Sequence, residues 1–217
     1  MAAKPKGRIV PRIDEALLTE TFSKQLASGS VHDALVADMA LPPLLSQRGQ
    51  AASIEGCIWR SVTLSDPKAQ RLRLRDARIE SSDLANIDMT AAALERVEFL
   101  ATRLTGAICS EAQWKSVLFQ ECKLDFALFR MASLEQCVFE KCNLAEADFY
   151  GVNLAGAIFR GCDLSRVDIS HATLTNADLR DCRLDGMRGT PDAMDGLIIN
   201  PDQAALLITL FGVRVQW

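Results

Sequence analysis

The chain has 217 residues, 49% of them apolar and only 6% aromatic, with a formal charge of −4 and a pI near 5.3. That length suits one domain with a sizeable core. The acidic balance argues against general affinity for nucleic acid or anionic lipid, both of which call for a basic face. No stretch approaches the ~18 apolar residues of a membrane span. No apolar run of about 7–15 residues follows Lys4, Lys6 and Arg8, so no secretory signal is read and a soluble, cytoplasmic protein is expected.

Residues 1–12 are basic, carry Pro5 and Pro11, and read as a loose arm. The text IDEALLTETFSKQLA over 13–27 predicts a short amphipathic helix. Leu17, Leu18, Phe22 and Leu26 suit one face and Asp14 and Glu15 suit the first turn. Ser28-Gly29-Ser30 should end it. Val31 to Ala40 holds a second short apolar set, closed by Pro42-Pro43. An apolar register of five begins at Ile54, Trp59 and Leu64, with Cys57 and Val62 two residues before a centre. It falters near Ala69, where Pro67 takes the small position, and a bulge or loop is expected at Asp66-Pro67.

From Leu74 to Leu184 an apolar residue recurs at every fifth position, 23 positions in all. A mostly small residue sits two before each centre, as in Ala147-Asp148-Phe149 and Ala177-Asp178-Leu179. A period of five fits neither helix nor strand and points to a solenoid of stacked short units. Split by twenty, the centres segregate into four columns. One is Ile79, Phe99, Phe119, Phe139, Phe159, Leu179, and another is leucine throughout from Leu84 to Leu184. The remaining two begin Leu74, Leu94, Trp114 and Met89, Cys109, Phe129. Four units per coil and strands ~4.8 Å apart make roughly six coils and a rod of about 28 Å.

The pattern resembles the pentapeptide repeat family, A-(D/N)-L-X-X. The resemblance implies an all-β fold, a right-handed quadrilateral β-helix of about 6–7 coils in which the centre and the small residue point inward. It also implies an N-terminal cap over the open strand edge. The expected organisation is 1–50 arm and cap, 51–186 β-helix, and 187–217 loop, helix and strand serving as cap or dimerisation tail.

All seven cysteines fall on inward positions, and Cys122, Cys142, Cys162 and Cys182 stand twenty apart. They read as small buried apolar residues. A ladder spanning ~14 Å cannot gather the four ligands of a zinc site, and disulfides are not expected in a reducing cytoplasm.

After Leu184 the pattern gives way to Gly186, Gly189, Pro191 and Gly196, a loop. Leu197-Ile198-Ile199 reads as a short strand or a return to the coil. Asn200-Pro201-Asp202-Gln203 is a helix start with Asn200 as N-cap, Pro201 at N1 and Gln203 at N3. The helix should run to about Phe211 and stop at Gly212, with a terminal strand over 213–217. This tail resembles the C-terminus of bacterial pentapeptide repeat proteins, among them quinolone-resistance proteins that protect DNA gyrase. The resemblance implies a monomeric cap or a homodimer joined end to end, with Leu206, Leu207, Leu210, Phe211 and Trp217 as candidate contacts.

No catalytic constellation is read, and no cofactor or metal site. His171 lies beside Asp168 and Ser170, but consecutive outward residues on a flat face form no pocket. Function is therefore expected on the outer faces. Residues 72–186 carry 18 acidic and 13 basic residues, a balance of −5, with the two signs interleaved. An uncharged flank runs through Asn153, Ala155, Gly156, Thr173, Thr175 and Asn176. Leu100, Leu118, Leu128, Met131 and Ile158 are apolar at outward positions. Leu128 and Met131 make a candidate contact patch, and Asp148 and Asp168 are further candidate surface contacts. Two readings follow: a rigid scaffold binding an unidentified protein, or a DNA mimic that binds gyrase or another topoisomerase and modulates or protects it. The second calls for a more acidic surface. A structural assembly protein linking through its tail is a third. No direct nucleic-acid or membrane partner is expected.

Overall fold

In a computed structural model, residues 9–13, 25–26, 28–41, 51–64 and 66–214 are described. The strands are β1 (Ser30–His32), β2 (Leu35–Ala37), β3 (Ala40–Leu41), β4 (Ser53–Glu55), β5 (Ile58–Arg60), β6 (Thr63–Leu64), β7 (Arg73–Glu80) and β8 (Ala93–Leu100). They continue with β9 (Gln113–Lys115), β10 (Leu118–Gln120), β11 (Ser133–Glu135), β12 (Val138–Glu140) and β13 (Ile158–Arg160), and one helix, α1 (Pro201–Leu207), follows. Every strand pairing among the described residues is parallel and joins segments one turn apart, so the chain winds as a β-solenoid of about six turns.

From Ser53 onward each pairing joins residues twenty apart, which defines four faces. Face I stacks Ser53, Arg73, Ala93, Gln113 and Ser133, and continues through Asn153 and Thr173. Face II carries Ile58, Arg78, Glu98, Leu118, Val138 and Ile158. Face III carries Thr63 through Arg183, and face IV carries Lys68, Asp88, Ile108, Leu128, Asp148, Asp168 and Arg188. All the repeat centres from Leu74 to Leu184 are buried, as are all seven cysteines. The phenylalanine columns stack in register: Phe99–Phe119, Phe119–Phe139 and Phe139–Phe159 have centroids 4.8, 4.9 and 4.7 Å apart with planes within 5°. That rise is the strand spacing itself, so within the column each phenylalanine stacks on the next, while Trp114 meets Phe119 and Phe129 from a neighbouring column at 5.5 and 5.7 Å.

The outer residues follow from the same five-residue unit. Every fifth residue from Asp76 to Gly186 has φ between 47° and 70°, and forms the corner between faces. Among these, only Gly106, Gly151, Gly156, Gly161 and Gly186 are glycines. A left-handed L-residue costs roughly 1–2 kcal/mol. The cost is offset where the corner N–H donates to the next coil, as Asn86 does to Thr105 O at 2.9 Å and Glu111 to Arg130 O at 2.9 Å. The Asp or Asn before the centre has its own task. Asp148 Oδ1 accepts from Tyr150 N at 2.9 Å, Asn143 from Ala145 N at 3.1 Å and Asn153 from Ala155 N at 3.1 Å. This local turn explains why the repeat favours those side chains.

The cysteine ladder is more than filler. At the corner between faces II and III, Cys122 Sγ donates to Phe99 O and Gln120 O, Cys142 to Phe119 O and Glu140 O, and Cys162 to Phe139 O and Arg160 O, at 3.3–3.6 Å. Thr102 Oγ1 fills the same role one rung earlier, donating to Leu100 O at 3.0 Å. Elsewhere in the interior, burial pushes the Cys57 thiol, which donates to Glu55 O at 3.2 Å, up to about 11 and raises Cys109 further, so these two are held protonated.

Three features differ from the sequence reading. The twenty-residue register holds on both sides of Pro67: Thr63 bridges Asp83, Lys68 bridges Asp88, and Ala69 is buried. At the N-terminal end, β1, β2 and β3 pair with β4, β5 and β6, placing Val31, Val36 and Leu41 on Ile54, Trp59 and Leu64. The offset there is 23 residues, not twenty, so the pairing begins before residue 51 but out of phase with the repeat. Most of the helix expected over 13–27 lies outside the described residues. Beyond Leu184, Arg188 bridges Asp168, a 3-10 turn spans Pro191–Met194, and Ile198 returns to the coil opposite Asp178.

Candidate functional site

The outer surface is largely self-neutralised. Residues twenty apart form ion pairs from coil to coil: Arg75–Glu95 at 2.9 Å, Lys115–Glu135 at 3.0 Å, Arg78–Glu98 at 3.0 Å, Arg160–Glu140 at 2.7 Å and Arg166–Glu146 at 2.6 Å. Interleaved signs in the sequence are thus cross-strand partners in the fold.

Face IV breaks this pattern. Leu128 and Met131 lie on one coil, 37% and 59% exposed, with Phe126 at the preceding corner and 53% exposed. Ile108 is the register neighbour of Leu128. Met131 reaches the next coil, its sulfur 2.6 Å from where a Cβ on Gly151 would stand, so a side chain at that corner would displace it. Beside it Tyr150 is pinned by Arg130, whose Cζ lies 5.7 Å from the ring centroid, and by His171, edge-on at 5.3 Å. The sequence reading found Leu128 and Met131 but missed Phe126 and Tyr150. Both are aromatics off the centre register, which is the signal that marks them.

Asp148 and Asp168 flank this patch and are committed to the scaffold. Asp148 Oδ1 accepts from Tyr150 N and Oδ2 pairs with Arg130 Nε at 2.6 Å. Asp168 Oδ1 accepts from Ser170 N at 2.9 Å. Burial alone would raise the Asp168 carboxyl, but the Ser170 bonds and the charge of Arg188 outweigh it and hold it below the usual range. His171 faces Asp192 at 3.8 Å and the ring of Tyr150, away from any Ser-His-Asp geometry. Among the described residues no His, Cys, Asp or Glu cluster gathers in metal-binding geometry, and no helix is long and apolar enough to cross a membrane.

At the C-terminal end α1 begins at Pro201, as read. Gln203 Oε1 accepts from Asn200 N at 2.8 Å, and its amide donates to Leu179 O at 2.9 Å and Cys182 O at 2.7 Å. One buried glutamine therefore closes the helix start and two carbonyls of the last coil together. A 3-10 turn over Ile208–Phe211 ends at Gly212, φ +74°. Leu207 is buried against the coil whereas Leu206, at 44%, faces solvent beside exposed Ile208 and Val213. The side chains of Leu210 and Phe211, and Trp217, lie outside the described residues, as does most of the expected terminal strand.

The coil also matches known proteins. No curated protein matches the chain. A solved structure of trypsin-treated QnrB1, a plasmid-mediated fluoroquinolone resistance protein, is 22% identical, with a TM-score of 0.50 over 87% of this chain and 92% of that one. Rfr23, a pentapeptide repeat protein from the cyanobacterium Cyanothece 51142, is 13% identical over 82% of this chain and 99% of that one, at a TM-score of 0.26. HetL, a pentapeptide repeat protein involved in heterocyst differentiation regulation from Nostoc sp. strain PCC 7120, is 18% identical over 78% and 86%, at 0.25. The family model for the pentapeptide repeat region matches residues 52–129 and 132–192, and the chain belongs to that family.

Proposed function

We propose that the chain is a non-enzymatic interaction scaffold, a rigid cytoplasmic rod that offers face IV to a protein partner. The observation that carries this is the apolar patch of Phe126, Leu128, Met131 and Tyr150 on a surface whose charges are elsewhere largely paired from coil to coil. A side face held by backbone ladders orders little on binding, so the apolar area removed from water goes mostly to affinity. Seven free, buried cysteines suit a reducing compartment. Replacing Leu128 and Met131 together by glutamate should leave the melting temperature within a few degrees. The same variant should lose, by tenfold or more, the partner that wild-type protein retains in affinity capture. Equal retention would sink the face-IV reading.

A second reading has one observation in its favour. Residues 79–217 hold 12 basic and 20 acidic residues, a balance of −8, so the acidic charge lies towards the C-terminal end. That supports a DNA-mimicking contact with gyrase or another topoisomerase. Gyrase supercoiling with purified protein, with and without a fluoroquinolone, decides it. Inhibition or rescue supports the reading, and no effect at large molar excess removes it for that enzyme. Exposed Leu206 beside buried Leu207 supports a homodimer through the tail over a simple cap; sedimentation at rising concentration reads the mass directly.

A further inference from the structure

Face IV is acidic as well as apolar. Over 105–111, 125–131, 145–151 and 165–171, the face and its two corners carry five acidic and two basic residues, a balance of −3. Both bases are engaged by acids of the same set, Arg130 by Asp148 and Arg166 by Glu146. Arg188, one coil on, reaches Asp168 at 4.0 Å. Two acids remain at the rim of the apolar patch. Glu111 is exposed at the corner one coil before Met131, and Asp125 adjoins Phe126 at the opposite corner. Asp125 accepts from Thr105 Oγ1 at 3.0 Å, and among the described residues neither acid has an ion-pair partner.

The backbone of this face is already paired within the coil. Leu128 N donates to Ala107 O and Met131 N to Tyr150 O, while Leu128 O accepts from Cys109 N and Arg130 O from Glu111 N. A segment laid across it finds no strand edge to extend, so it must be held by side chains and carry a backbone bonded within itself. The patch has the dimensions for such a segment. Its apolar side chains climb from Ile108 through Leu128 to Tyr150 on three successive coils, two rises of ~4.8 Å. On an α-helix, residues i, i+3 and i+7 share one face and stand ~4.5 and ~10.5 Å along the axis. On an extended strand the same-side step is ~6.7 Å, which falls out of phase with the coils.

We propose that face IV binds a basic amphipathic helix of a partner protein, laid along the rod axis. The apolar stripe of the helix covers Leu128, Met131 and Tyr150. Lysines or arginines on its two flanks reach Glu111 at one corner and Asp125 at the other. An acidic helix or a nucleic-acid strand meets the same carboxylates as repulsion. This inference rests on the face-IV reading above and adds to it the class of the occupant.

The test uses the full chain and a fluorescein-labelled helical peptide with leucines at i, i+3 and i+7 steps, lysines on both flanks and alanine elsewhere. Fluorescence anisotropy reads binding, and difference circular dichroism reads the helix content of the bound peptide. A scrambled peptide and a counterpart with glutamate for lysine are run alongside. The lysine peptide should bind at least tenfold more tightly than either, gain helix on binding, and weaken as salt rises from 50 to 300 mM. Leu128→Ser/Met131→Ser should weaken it at least tenfold. Glu111→Gln/Asp125→Asn should weaken it at least threefold and flatten the salt dependence, with an unchanged melting temperature. Glu135→Gln, on face I, should leave it unchanged. Equal binding by the scrambled or glutamate peptide, binding without helix, or indifference to either double variant would each overturn the proposal. So would a fall in the sedimented mass of the chain alone on Leu128→Ser/Met131→Ser, which would make a second copy the occupant. Affinity capture with Leu128→Glu/Met131→Glu tests face IV separately: if that variant loses its partner while the lysine peptide fails to bind, the helix is overturned and the face-IV reading stands.

Discussion

At the corners the backbone demand is local and the side chain is free, so single residues can be tested cleanly. Gly156 has φ +70°, and a Cβ there would meet nothing within 4 Å. Gly156→Ala should therefore cost about 1 kcal/mol through left-handed strain alone. Ala101 occupies the equivalent corner at φ 47°. Ala101→Gly should be neutral or stabilising by up to about 1 kcal/mol. Urea midpoints check both, and a loss of stability in Ala101→Gly would refute the strain account. The direction in which each side chain points was legible in the sequence, because a period of five assigns it. The engagement of a side chain was not. Asp148 and Asp168 read as free surface acids, and only the fold shows their oxygens turned onto Tyr150 N and Ser170 N. Trp114 sits in a column of leucines with its indole N–H buried and unbonded among the described residues, a mismatch that a hydropathy pattern treats as simply another apolar centre.

Among the elements, α1 is closed by one side chain. Removing the Gln203 amide takes from Cys182 O its side-chain donor and leaves Leu179 O with the Cys182 N–H alone, at about 1–3 kcal/mol for the buried group. Gln203→Ala should raise hydrogen exchange in 179–187 while β7 and β8, several coils away, keep their protection. Uniform loss of protection would show that the end and the middle unfold as one unit. The helix start was legible because Asn, Pro and Gln act locally. The strands β1–β3 were not. Val31, Val36 and Leu41 keep the step of five, but the segment between 42 and 50 shifts them by three from the twenty-residue phase. A reader who carries the downstream register back across that segment finds only an apolar set with no place to stack.

Taken whole, the rod draws on carboxylates that fold into hydrogen-bonded corners and turns. Burial alone would raise Asp76 and Asp88, but Arg96 with the Arg12 N–H, and Thr90 with Gln70, outweigh it and leave both below the ordinary value. Asp178 is held low first by its Arg180 hydrogen bond. A depressed carboxyl adds stability above its unfolded value near ~4 and loses it as pH falls through the folded value. Thermal stability should therefore stay level from pH 7 to about 5 and fall on further acidification below ~4. Asp76→Asn should lessen that slope and free the arm at Arg12. A melting temperature that rises on acidification would contradict the assignment.

The twenty-residue pairing that holds from Ser53 to Ile198 also constrains how such a gene can change length. Gain or loss of one whole turn leaves every later residue on its own side. Gain or loss of a single pentapeptide rotates everything downstream by a quarter revolution. It would move the Leu128–Tyr150 patch to another side relative to Arg73 on face I, and at the junction it would set unlike centres on one another, phenylalanine against leucine. Duplication in multiples of four units preserves the relative bearing of the two surfaces; any other multiple re-aims one against the other.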